Sequence, residues 1–140
     1  MKYLILSILL VVTMSCDKEE SEQQSSEIVG QWQLKEVVSG WTNQTTDASE
    51  LGYEEFYEFR PDSTMRKFRS NGDAASGTYS IQTLSDGKYI EVVYDDENTK
   101  LRESCGGNEF LRVEKNQLMG GSLPCDGPGL NYVKVESTKE

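Results

Sequence analysis

The side chains able to do chemistry in this 140-residue chain are unevenly stocked: three cysteines, 24 Asp and Glu, and no histidine. Without an imidazole the chain cannot build Ser-His-Asp or Cys-His nucleophilic machinery, most zinc sites, or the usual neutral-pH proton shuttle. Cys-x-x-Cys, a Gly-x-Gly-x-x-Gly turn and a Gly-Lys-Ser/Thr phosphate loop are missing as well. Carboxylates can pair as general acid and base, but Glu54-Glu55 and Asp95-Asp96-Glu97 read as solvated strand edges or turns. Asp95-Asp96-Glu97-Asn98 offers oxygen ligands to Ca²⁺ without the spacing of a dedicated calcium loop, and reads as an exposed acidic turn. Arg66, Lys67 and Arg69 make a small basic patch that strand alternation splits between two faces, as in a solvated hairpin. No catalytic set, metal or cofactor is therefore expected. The formal charge of −10 also argues against nucleic acid as a partner.

The cysteines are more informative. Met1-Lys2-Tyr3 opens onto an apolar run from Leu4 to Val12. That run fits the core of an export signal and falls short of the ~20 residues that cross a bilayer. Thr13-Met14-Ser15-Cys16 follows, a small residue directly before a cysteine, and from Asp17 the composition turns to Asp, Lys, Glu, Ser and Gln. This resembles the lipobox of bacterial lipoproteins, although Thr13 stands where that family usually has Leu, Val or Ile. The resemblance implies that Cys16 is acylated after removal of the leader, making the membrane a partner through more than one acyl chain. With Cys16 so used, Cys105 and Cys125 are left as an even pair in an oxidising compartment, where a disulfide is expected. Closing a loop of ~20 residues contributes on the order of 3 kcal/mol by the chain-entropy argument; two free buried thiols are the other reading. Lys18-Glu19-Glu20 resembles the short signals that send lipoproteins to the outer face of the outer membrane, with a plain solubilising tether as the alternative. The expected location is the cell envelope, lipid-anchored at the outer membrane.

Four segments follow: a signal peptide over 1–15, a polar disordered tether over 16–27, one folded domain over 28–136 and a tail over 137–140. Within the domain, short β-rich runs recur about every ten residues between turn residues, the pattern of a sandwich or barrel. Strands are predicted at 30–38, 53–60, 64–70, 77–83, 89–95, 99–105, 109–114, 117–121 and 131–136. Pro61-Asp62-Ser63, Asn71-Gly72-Asp73, Ser85-Asp86-Gly87, Gly106-Gly107-Asn108 and Glu114-Lys115-Asn116 supply the turns. Alternation puts Trp32 and Leu34 on one face, and likewise Tyr57 and Phe59; Tyr79 and Ile81; Ile90, Val92 and Tyr94; Leu111 and Val113; Val133 and Val135. One apolar and one wet face describe an all-β, small antiparallel up-and-down barrel of about eight strands around a single core.

Gly30-Gln31-Trp32 resembles the Gly-x-Trp opening of lipocalin-type barrels. Phe59-Arg60-Pro61-Asp62-Ser63-Thr64, Gly77-Thr78-Tyr79-Ser80-Ile81 and Tyr132-Val133-Lys134-Val135 resemble, in order, later strands of small bacterial lipocalin-like lipoproteins. The domain is shorter than a full lipocalin and shows no C-terminal helix, so the implied calyx is shallow. Trp32 is expected to plug the closed end as a core residue. The segment 39–52 is a long first loop, which in such barrels lids the open end, and its Trp41 is a candidate ligand or partner contact. The segment 120–129 is a second irregular loop, stapled by Cys125 to Cys105. The resemblance implies a binding module holding a small apolar ligand among Tyr57, Phe59, Tyr79 and Tyr94. The alternative is a protein-interaction or protease-inhibitor-type barrel with no ligand cavity.

Overall fold

The computed structural model describes residues 26–136; the leader, Cys16, most of the tether and the tail lie outside the described residues. Nine antiparallel strands form: β1 (Gly30–Val38), β2 (Thr45–Asp47), β3 (Glu55–Phe59), β4 (Thr64–Arg69), β5 (Ala74–Leu84), β6 (Gly87–Tyr94), β7 (Glu109–Glu114), β8 (Gln117–Gly121) and β9 (Gly129–Lys134). Each strand from β3 onward pairs with the next, and β9 returns to pair with β1, so eight strands close into a barrel. Closure removes the sheet edges that would otherwise recruit other chains. The short β2 lies outside this ring, paired only with Glu36–Val38 of β1. A register shift between Leu34 and Glu36 of β1 bends that strand where β2 takes over from β3 as its neighbour.

Period-two alternation fills the interior. Trp32, Leu34, Tyr57, Phe59, Met65, Tyr79, Ile90, Val92, Tyr94, Leu111, Leu118, Leu130 and Tyr132 are buried in one core. Ile28, just ahead of β1 and fully buried, closes one pole: the Trp32 indole Nε1–H donates to its carbonyl at 2.9 Å. The expected role of Trp32 as a core plug is thus realised, and its ring is also covered by Lys134, whose Nζ lies 5.6 Å from the centroid. Tyr79 helps to seal this pole, its hydroxyl donating to the Arg60 carbonyl at 2.8 Å.

The two poles differ in kind. At the closed pole lie the short turns of the β3–β4, β5–β6 and β7–β8 hairpins, together with both ends of the domain: Val135 N–H donates to Gln31 O. At the other pole lie the longer connections 39–54, 95–108 and 122–128 and the turn 70–73. Cys105 and Cys125 join two of these loops at disulfide distance, with Cα atoms 5.7 Å apart.

Several expectations need correction. The segment 99–105 is not a strand but part of the 95–108 loop, because Leu101 turns inward to 2% exposure and its carbonyl is held from inside the barrel. Val133 on β9 and Val135 just past its end do not face inward; Leu130 and Tyr132 do, since the Tyr132 hydroxyl has a buried acceptor and the valines do not need one. The first loop is not wholly irregular: it carries β2 and a 3-10 turn, Ala48–Leu51, whose start is capped by Asp47 accepting from the Ser49 N–H at 2.8 Å.

Candidate functional site

The upper interior of the barrel, under the long loops, is charged. Inward positions of β3, β4 and β7 bring Glu55, Lys67 and Glu109 together at 2%, 0% and 0% exposure. Each is there by the same alternation that buries its neighbours: Glu55-x-Tyr57-x-Phe59, Met65-x-Lys67-x-Arg69 and Glu109-x-Leu111. Glu55 and Lys67 are therefore not the solvated groups that the acidic pair and basic patch imply on their own.

Lys67 Nζ lies 3.5 Å from Glu55 Oε1 and 3.6 Å from Glu109 Oε1, and donates to Leu101 O at 2.8 Å. It also sits 4.9 Å from the centroid of the Tyr57 ring. Around it the tyrosines donate to the carboxylates: Tyr132 to Glu55 at 2.6 Å, Tyr94 to Glu109 at 2.9 Å, and Tyr57 to Glu109. Arg69 Nε donates to Glu55 Oε2 at 2.6 Å, with its guanidinium 4.5 Å from the Tyr53 ring centroid. The Glu103 N–H adds a bond to Glu109 Oε2 at 3.2 Å. Among the described residues no buried side-chain nitrogen or oxygen lacks a partner, which is the condition under which buried charge is tolerable.

The electrostatics follow from this packing. Burial pushes the Glu55 carboxyl up, but Lys67, the Tyr132 hydroxyl and Arg69 together outweigh it and hold the group below its ordinary value. Burial, and then the Glu109 charge, raise Tyr57 and Tyr94; burial, and then Glu55, raise Tyr132. Glu103, half-buried on the 95–108 loop, is also raised, by burial first and further by Glu109 and Glu55, against the opposing pull of Lys67. Its carboxylate makes no hydrogen bond or ion pair among the described residues.

Above the network a cleft of about 220 Å³ opens at the loop pole. It is lined by the apolar Leu34, Val37, Leu51, Pro128 and Leu130 and by Tyr53, Glu55, Arg69 and Glu103.

The residues expected to touch a ligand divide into two groups. Tyr57, Phe59, Tyr79 and Tyr94 are brought together inside: Tyr57 stacks on Phe59 with centroids 5.4 Å apart, Phe59 meets Tyr79 edge-on at 4.9 Å, and Tyr57 and Tyr94 share Glu109. All four are at most 7% exposed. Trp41 is elsewhere, 81% exposed on the tight turn before β2. Glu55, Lys67, Arg69, Glu103 and Glu109 went unrecognised as a set in the sequence. The signal that could have found Glu55, Lys67 and Glu109 is their two-residue spacing from Tyr57, Met65 and Leu111, with Arg69 two residues beyond Lys67.

The acidic segment at 95–98 makes local bonds, Asn98 N–H to Asp96 Oδ1 at 2.9 Å, and no group of three or more metal-ligating side chains occurs among the described residues. No helix among the described residues is long and apolar enough to cross a membrane. No protein-family model, curated protein or solved structure matches the chain.

Proposed function

We propose that this protein is a non-enzymatic, membrane-tethered barrel of lipocalin-like type that recognises a protein partner with its loop pole. The observation that carries the reading is the filled interior. Of the aromatic side chains expected to line a calyx, Tyr57, Phe59 and Tyr79 are packed ring against ring, and the hydroxyls of Tyr57, Tyr94 and Tyr132 are engaged with buried carboxylates. An apolar ligand placed there would strand Glu55, Lys67 and Glu109 without partners, at a cost of several kcal/mol per ion. Recognition then falls to the surface, and Trp41 presents an uncovered indole at the rim, the residue type most enriched at binding hot spots.

The topology supports a tethered arrangement. The chain enters the barrel at Ile28, at the pole opposite the long loops. An acylated Cys16 followed by a polar tether would hold the closed pole toward the cell-envelope membrane and leave Trp41 facing away from it. The test uses the lipidated protein extracted from native membranes in mild detergent. Native mass spectrometry is expected to give the acylated polypeptide with no further small-molecule mass. A photo-crosslinking residue at Trp41 is expected to trap a discrete partner that the same residue at Lys115, in the closed-pole β7–β8 turn, does not. A co-purifying apolar molecule, with equal crosslinking from both poles, would overturn the proposal in favour of the small-ligand reading.

A further inference from the structure

The charges of the upper interior do not balance. Lys67 and Arg69 face Glu55, Glu109 and Glu103, two cations against three carboxylates. Glu55 and Glu109 consume both cations and all three tyrosine hydroxyls. Glu103 is the surplus: half-buried, on the lining of the cleft, and attracted by Lys67 and Arg69 at a distance but with no ion pair or hydrogen bond to its carboxylate among the described residues. The same cleft is also lined by the aliphatic side chains of Leu34, Val37 and Leu130. A site with a hydrocarbon lining and one such carboxylate matches a group with a methylene stem and a cationic tip.

We infer that the cleft beside Glu103 seats a lysine or arginine side chain of the protein partner, its stem along Leu34, Val37 and Leu130 and its head on the Glu103 carboxylate. This rests on the protein-recognition reading above and deepens it. Three considerations choose that occupant. An anionic group would add to an existing excess of negative charge. A wholly apolar group would leave the Glu103 carboxylate shielded from water with no partner. Arg69 does not repel the newcomer strongly, because its charge is already engaged by Glu55 and lies against the Tyr53 ring. At longer range the formal charge of −10 steers a basic partner toward this protein and raises its rate of encounter.

The test titrates the full-length protein in detergent micelles with side-chain analogues, followed by amide chemical shifts. n-Butylammonium and n-propylguanidinium are expected to shift Leu34, Val37, Glu103 and Leu130 saturably, at least fivefold more tightly than n-butanol or n-butyrate. Glu103→Gln is expected to abolish that preference, and Glu97→Gln, an exposed carboxylate on the same loop, to preserve it. Butanol binding as well as butylammonium, or butyrate binding better, would overturn the inference from the native protein alone, whatever the variants do. Crosslinking from Trp41 is read separately, so loss of the basic anchor and loss of the protein partner are distinct results.

Discussion

Replacing Lys67 by Met isolates the one cation at the centre of the barrel while keeping its bulk. In the native protein Nζ stands 3.5 and 3.6 Å from two carboxylates that are at most 2% exposed. At an effective dielectric of about 20 each attraction is worth roughly 4–5 kcal/mol before desolvation is counted. The net value of such a pair is small, but removing one partner is not, since the other charges stay buried; breaking buried pairs costs about 3–5 kcal/mol. Lys67→Met also frees the Leu101 carbonyl, breaking one of the two bonds that hold the 95–108 loop down from inside. Against a typical total stability of about 5–15 kcal/mol this is a large fraction. In urea, with a slope of about 1–3 kcal/mol/M, the unfolding midpoint should fall by roughly 2 M. The loss should shrink as pH falls below the ordinary carboxylate range, because protonation removes the stranded charges, and a Lys67→Met, Glu109→Gln double variant should recover part of it at pH 7. A loss under about 1 kcal/mol that is the same at pH 7 and pH 4 would refute the reasoning, showing that Lys67 is not electrostatically coupled to Glu55 and Glu109.

Three further outcomes follow from the same geometry. Tyr57, Tyr94 and Tyr132 are all raised above the ordinary tyrosine value, so the folded state favours their protonated form; the stability this gives is intact below about pH 10 and should be lost as pH rises past it. Thermal melts from pH 8 to 12 check this, and a Tm that stays flat to pH 12 would contradict it. Reducing the Cys105–Cys125 link should cost on the order of 3 kcal/mol and raise amide exchange in 95–108 and 122–128 before it does so in the strands. Exchange rising first around Trp32 would show that the staple supports the barrel and not its loops. Gly77→Ala would bring a Cβ to 2.1 Å from the Val93 carbonyl oxygen, a backbone atom of the neighbouring strand. The strands must part to admit it, so a loss at the upper end of the ~1–3 kcal/mol overpacking range is expected in denaturant titrations, and a neutral result would place β5 and β6 further apart than described.

The strands were legible where side-chain chemistry and face agreed. Gly30–Val38, Glu109–Glu114 and Gln117–Gly121 match their predicted spans because apolar and polar residues alternate there and a turn follows. Legibility failed where an inward position carried a charge. Glu55 and Lys67 sit on the inner face by spacing, yet composition places charged residues in water, and nothing local reveals that Lys67 will meet Glu109 forty-two residues further on. The same blindness produced the false strand at 99–105: its β-rich composition was overridden by the tertiary bond from Lys67 to the Leu101 carbonyl. Around β9 the sequence Asn131-Tyr132-Val133-Lys134-Val135, whose last residue lies just past the strand, allows either face inward, and only the distant acceptor on Glu55 selects Tyr132.

The interior is therefore graded along its axis, and the grading bears on function. Toward the closed pole Ile28, Trp32, Phe59 and Met65 make a dry core that needs only volume and shape. Toward the loop pole the same inward rows end in Glu55, Lys67, Arg69 and Glu109, which need each other and the loop backbone to be tolerated at all. A barrel selected only for stability would gain by replacing such a network with apolar residues of similar volume, which is often neutral or favourable. Keeping the network fixes the 95–108 loop, and with it Glu103, over the cleft through two bonds that originate inside the barrel. If the network serves the cleft, Lys67→Met combined with Glu55→Gln and Glu109→Gln should restore much of the stability lost by Lys67→Met while the cleft still loses its preference for butylammonium over butanol. Recovery of both together would mean that the buried charges hold up the fold and nothing more.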